Sequence, residues 1–271
     1  MISINTNYGS LFAAKSAGAA QTTMNSAMEK LSSGLRINNA KDDAAGQGIA
    51  TRLSAQIKSL DMASRNASDA QSMIDTAEAA HQEVHSILLR MREIAVQAAN
   101  GTLDTADRVA LDAEVTALET EITAIADNTT FAGKNLGTGQ AVTFQIGTEN
   151  GDELAVTFKD FDNTGATGIT ASVAVDTEAN AKLALDILDN AISTVSTRRG
   201  ELGAASNRLS SVIANLDNIS VNLASARGRI QDTDFAQETS NLAKSQIMQQ
   251  AATAMLAQAN ASKQTVLALI Q

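Results

Sequence analysis

The sequence predicts a mainly α protein: a long, coiled-coil-like antiparallel helical bundle with a small β-hairpin region. Three observations carry that expectation. Leu188, Val195, Leu202, Leu209, Leu216, Leu223 and Ile230 recur at steps of seven without a miss. A step of seven returns a residue to nearly the same helix face after two turns, so this row reads as a seam. The 271 residues include no proline, the residue that breaks helix interiors. Between about 140 and 160 the period changes to two, with Val142, Phe144 and Ile146, then Leu154, Val156 and Phe158, alternating with polar residues. That spacing suits strands with one buried face.

Residues 1–35 carry only Lys15, Glu29 and Lys30 as charges, with Met24, Met28, Leu31 and Leu35 at helical spacing until Gly34 interrupts. Ile37 to Asp43 reads as a linker whose carboxylates start the next helix, where exposed N–H groups favour them. From Ala44 to Asn100 a second heptad array runs through Leu53, Leu60, Ala67, Ile74, His81, Leu88 and Ala95. Asn100-Gly101 is expected to stop it with a left-handed glycine. A shorter helix follows from about Asp104 to Asp127, with Leu111, Val115, Leu118, Ile122 and Ile125 on one face.

In the alternating region a three-residue loop with left-handed Gly151 would pair Ile146 with Leu154, Phe144 with Val156 and Val142 with Phe158. Ile169 to Val175 is read either as a further strand or as irregular chain. Asp176-Thr177 signals the start of the seam helix, whose row from Leu188 to Ile230 would be roughly 65 Å long. Its companion row, three residues on, is small or apolar except for Arg198. The last segment repeats the character of the first. Met248, Met255, Ser262 and Leu269 form one row, and Ala252, Ala259 and Val266 the next. Both ends are thus charge-poor and apolar-striped, which suits burial against many other copies.

Composition limits the chemistry. Net charge is −10, which argues against nucleic acid as a partner. No cysteine is present, so disulfides and thiolate sites are excluded. No apolar run is long enough to span a membrane, and no Sec-type signal peptide is read, since the first charge is Lys15. The residues alone read as a soluble cytoplasmic protein. Glu78, His81 and His85 share a helix face and could in principle hold a divalent ion. The zinc-protease motif, however, needs Glu directly after the first His, and Gln82 stands there. A packing role in the seam is therefore expected for His81. Gly200 and Gly203 follow no strand and make no phosphate loop. No catalytic residue, metal or cofactor is expected.

Several ordered motifs extend this reading: Ile4-Asn5-Thr6-Asn7, Leu31 to Asn38, Ala40 to Gly46, Arg90 to Gly101, Ala226 to Ile230 and Asp232 to Ala236. Through them the chain resembles bacterial flagellin over nearly its full length. That resemblance implies a filament subunit in which residues 1–36 pair with 236–271 as an inner core. Its assembly residues would include Leu31, Leu35, Met248, Met255, Val266 and Leu269. Residues 37–235 would form an outer bundle with the hairpin, in a short form lacking variable outer domains. The resemblance further implies an extracellular location, export through a type III apparatus without a cleaved signal, and self-polymerisation. An export chaperone and hook–filament junction and cap proteins would be partners. A host Toll-like receptor would meet Arg90, Glu93, Ile94, Gln97 and Glu114, with Ile94 and Leu89 departing from the residues common in the family.

Overall fold

The computed structural model describes residues 6–159 and 173–268, with side chains as far as Lys263. Among these lie five helices: α1 (Tyr8–Ser33), α2 (Ala44–Ala98), α3 (Thr105–Asn128), α4 (Glu178–Gln231) and α5 (Phe235–Ala268). Four short strands join them: β1 (Thr130–Phe131), β2 (Lys134–Asn135), β3 (Ala141–Gln145) and β4 (Glu153–Thr157). Each helix begins at a side chain that accepts an otherwise orphaned N–H. Asn7 accepts from Ser10, Asp43 from Gly46, Asp104 from Asp107, Thr177 from Asn180, and Asp234 from Ala236 and Gln237.

Two compact units result, residues 1–57 with 221–271 and residues 58–220. In the second, α2 and α4 run antiparallel. Asp61 meets Ser220, Gln71 meets Ser210, Glu78 meets Arg199 and Arg92 meets Asp189. Between them Leu60, Ala67, Ile74, His81, Leu88 and Ala95 are buried, as are Leu188, Val195, Leu202, Leu209 and Leu216. Leu53, Leu223 and Ile230, in the first unit, are half-buried.

The seam has two kinds of cover. Where α3 lies alongside, Val115, Ile122 and Ala126 close the core around Leu88, Met91, Ile94, Leu188 and Val195. The chain then returns to α4 through Val173 and Val175, both buried. Their N–H groups donate to carboxylates of α3, Val173 to Glu119 and Val175 to Asp112, each at 2.8 Å. Burial raises the Glu119 pKa, the Val173 hydrogen bond lowers it, and Asp112 raises it. Residues 173–175 are not a strand, and the rest of that expected segment lies outside the described residues.

Beyond α3 the cover is the β3–β4 hairpin, whose Leu154, Val156 and Phe158 pack with Met73, Ile74, Ala77, Leu202 and Leu209. The faces are those the alternation implies, but the pairing differs by two residues from the expected register. Phe144 pairs with Leu154 and Val142 with Val156, leaving residues 146–152 as the loop. Side chains hold that wider loop. Gln145 donates to the carbonyls of Gly147 and Glu149, and Asp152 accepts from Glu149 N–H. A shift of two keeps every side chain on its face, so the hydrophobic pattern could not distinguish the registers. Gly151 does take a positive φ of 102°.

Two further details differ from expectation. Gly101 is not left-handed; α2 is stopped by Arg108, which donates to the carbonyls of Ala98 and Asn100 at 2.9 and 3.0 Å. A second hairpin, β1–β2, turns at Ala132-Gly133, both with positive φ. Just after it Gly137 sits so close to α3 that a Cβ would lie 2.3 Å from the Ala126 carbonyl oxygen.

Seam position 81 is polar yet buried. Desolvation, helped by Arg198 and Arg199 and opposed by Glu78, lowers the His81 pKa to about 4. The fold therefore holds a neutral imidazole. An unfolded histidine takes up a proton below about 6.5, so this group's contribution is fully present above that pH and is lost as pH falls towards 4. The loss amounts to about 3 kcal/mol. Urea unfolding of wild type and His81→Leu across this range should show the variant losing less stability by about that amount; parallel curves would refute the assignment. Leu209→Lys places an unpaired charge under the hairpin and should destabilise the second unit by about 3–5 kcal/mol. Chemical denaturation followed by circular dichroism checks this, and an unchanged midpoint would contradict the packing.

Candidate assembly interface

The first unit is built on α1 and α5. Asn7 donates to the Ala259 carbonyl, Gln249 bonds Gln21, and Lys30 lies 4.0 Å from Glu238. Low positions on α1 thus meet high positions on α5, which makes the pair antiparallel. Its seam is made of the smallest side chains: Ala13, Ala20 and Ala27 of α1, with Ser245 and Ala252 of α5, are buried. A Cβ on Gly9 would stand 3.4 Å from that of Ala259.

The turn into α2 is firmly tied. Gly34 ends α1 with φ 72° and its N–H on the Lys30 carbonyl. Leu35 bridges Asp232, Arg36 N–H donates to Gln231 at 2.7 Å, and Thr233 N–H donates to Gly34 at 3.0 Å. Asp42 accepts from the N–H groups of Asn38 and Asn39. The Asn39 bond is the larger cause of its lowered pKa, and burial opposes it. Ile37 is fully buried beneath this turn. A Cβ on Gly46 would stand 2.8 Å from its Cδ1 and 2.4 Å from Asp43.

The large apolar side chains lie outside the seam. Tyr8 and Phe12 are each 74% exposed, Leu11 60%, Ile247 65% and Met255 63%. Phe12, Met248 and Met255 line a groove of about 440 Å³ along the pair, floored by Ala13, Ala252 and Ala259. Leu31 and Leu35 are half-buried near the turn, and Met248 is exposed. The Val266 side chain and Leu269 lie outside the described residues. Tyr8, Phe12 and Ile247 were not singled out from the sequence. The signal available was large apolar residues, two of them aromatic, in segments almost devoid of charge.

The second unit offers a polar surface. Arg90 bonds Glu114 through Nε and a terminal nitrogen, at 3.1 and 2.8 Å, and Glu93 at 3.2 Å. Glu114 first, then Glu93, raise its pKa. Gln97 is exposed beside them. Ile94 is not part of this surface: it is 1% exposed and packs in the core, because its helix position falls on the buried row. Neighbouring Arg92 bonds Asp189 at 2.6 Å and lowers its pKa.

The histidine pair makes no comparable centre. Glu78 is held by Arg199 at 2.9 and 2.7 Å, and His81 is buried and neutral. No cluster of three metal-ligating side chains occurs among the described residues. No helix among them is long and apolar enough to cross a membrane.

Comparison with known proteins gives the same picture for both ends. Residues 4–141 match the model of the bacterial flagellin N-terminal helical region, and residues 185–270 that of the C-terminal helical region. The chain is 43% identical to a flagellin of Halalkalibacterium halodurans over 270 residues, covering 99% of each. It is 36% identical to flagellin FlaB2 of Treponema pallidum over 285 residues, again covering 99% of each. The crystal structure of Bacillus cereus flagellin matches with a TM-score of 0.50 and 32% identity, over 60% of this chain and 94% of that one. With both terminal regions matched and a relative aligned from end to end, the chain belongs to the bacterial flagellin family and is a structural subunit of the flagellar filament outside the cell, not an enzyme.

Proposed function

We propose that the outer face of the α1–α5 pair is the principal assembly surface and that other copies of the chain cover it in the filament. In this reading residues 1–36 and 236–271 form the inner filament core, and residues 37–235 the surrounding bundle. The observation that carries it is the inversion of side-chain size: alanines fill the seam while Tyr8, Phe12, Ile247 and Met255 face outward. A buried alanine contributes only about 1 kcal/mol, whereas covering a large apolar side chain contributes about 1.5–3 kcal/mol. The pair therefore leaves most of its hydrophobic stabilisation unused until something covers it. A filament subunit has that cover at hand in its neighbours.

The same surface supports the finer partners. Before export, exposed Ile247, Met248 and Met255 suit a chaperone that shields α5. At the two ends of the filament, junction and cap proteins would meet subunits through the same face. We further propose that export proceeds through the flagellar type III apparatus without removal of the N-terminal segment. Asn7 supports this, since it both caps α1 and anchors α5 at Ala259, which makes that segment part of the fold.

A second role rests on the exposed Arg90–Glu93–Gln97–Glu114 surface. We propose it as the contact for a host Toll-like receptor, with Ile94 acting only behind it in the core.

Two experiments test these readings. Met255→Ser should leave the monomer's melting temperature unchanged and raise the critical concentration for polymerisation about tenfold or more. Normal polymerisation would remove α5 from the assembly surface. Arg90→Ala, at an exposed and solvent-screened ion network, should leave melting unchanged. A central interface arginine is worth about 2 kcal/mol or more, so receptor signalling should fall at least about tenfold; an unaltered response would exclude this contact.

A further inference from the structure

Two Asn-Gly steps occur in the sequence, Asn100-Gly101 and Asn150-Gly151. In such a step the glycine nitrogen can reach the asparagine side-chain carbon, because no Cβ on the glycine obstructs the approach. The two steps differ in how their atoms are hydrogen-bonded.

At the end of α2 the atoms of Asn100 are engaged. Its side-chain oxygen accepts from Thr102 N–H at 3.2 Å. Its carbonyl accepts from Leu103 N–H and from Arg108, at 3.3 and 3.0 Å, and its own N–H donates to Gln97 at 3.1 Å. At the tip of the β3–β4 hairpin the hydrogen bonding differs. Asn150 and Gly151 are exposed, as Asn100 and Gly101 are, and nothing stands within 4 Å of where a Gly151 Cβ would be. The loop's hydrogen bonds run from Ile146 to Asp152, Asp152 to Glu149 and Glu153 to Gly151, with Glu149 N–H on the Asp152 carboxylate. None of them engages the Asn150 side chain or the Gly151 N–H.

We infer that Asn150 is a site of spontaneous deamidation, at which the hairpin tip converts itself to aspartate and isoaspartate. The Gly151 nitrogen gives its proton to solvent and bonds to Asn150 Cγ; the Cγ–Nδ2 bond breaks, and the amide nitrogen takes a proton back from solvent and leaves as ammonia. The resulting five-membered imide is opened by water. Attack at Cγ restores the main chain as aspartate. Attack at the α-carbonyl carbon leaves the chain running through Cβ and Cγ as isoaspartate, with one extra main-chain carbon. Solvent water is the only co-reactant, and nothing is oxidised or reduced. Either product adds a carboxylate to a tip that already carries Glu149, Asp152 and Glu153. It does so at the rim of a cavity of about 500 Å³ shared with Lys58 and Asn66.

The test uses the purified full-length monomer, aged in warm, mildly alkaline buffer. Peptide mass spectrometry follows the amide-to-acid mass gain at each asparagine, and isoaspartyl methyltransferase labelling reports the rearranged product. Amide loss at Asn150 should be at least about tenfold faster than at Asn100, where several hydrogen bonds must open first. In denaturant the two rates should converge. Asn150→Gln should retain the helical spectrum and lose most methyl-acceptor signal. Equal rates in the folded chain, or a difference that persists unchanged in denaturant, would overturn the inference.

Discussion

The antiparallel contact of α2 with α4 is the constraint on which the second unit depends. Each helix presents a row of apolar residues at steps of seven, and neither row can be buried without the other. Leucines and alanines share that work. Leu88, Leu188, Leu202 and Leu209 supply bulk, while Ala67, Ala70 and Ala77 let the backbones come close. What lies on top of the contact is secondary. Along one stretch it is α3, along another the β3–β4 hairpin, and each matches the strip left open by two round helices. Asp112 and Glu119 then hold the returning chain by its backbone amides, so α4 enters its seam from a fixed point.

Much of this was legible in the residues, because heptad spacing and helix caps are local signals. Thr177 and Asp104 mark helix starts by chemistry that needs no tertiary context. The hairpin was legible in phase but not in register. Val142 and Val156 belong on the same face under either pairing, and the choice rests on Gln145 and Asp152 binding the loop backbone. The end of α2 was placed correctly for the wrong reason, since Arg108 lies ten residues from the carbonyl it caps. The turn at Ala132-Gly133 was missed because alanine is an unusual choice for a left-handed position. The exposed side chains of the terminal pair were harder still. A periodic row says which residues share a face, not whether that face turns towards α5 or away from it.

The two units use apolar residues in opposite ways. In the second, large side chains fill the core, and ion pairs such as Arg90–Glu114 and Arg92–Asp189 lie on the surface. In the α1–α5 pair of the first, small side chains fill the seam and Tyr8, Phe12, Ile247 and Met255 face outward. A stable self-contained bundle and a pair of helices awaiting cover thus coexist in one chain. The family to which the chain belongs gives that division a use.

The alanine seam between α1 and α5 also bears on timing. Under the proposed assembly, two free subunits that meet would cover only part of the apolar surface each α1–α5 pair leaves outward. A subunit joining an existing filament would be covered on several sides at once. Starting a polymer is therefore much harder than lengthening one. With Ala13, Ala20 and Ala252 in the seam and the large apolar side chains outside it, the first contacts between subunits would be the weak ones and the later contacts the strong ones.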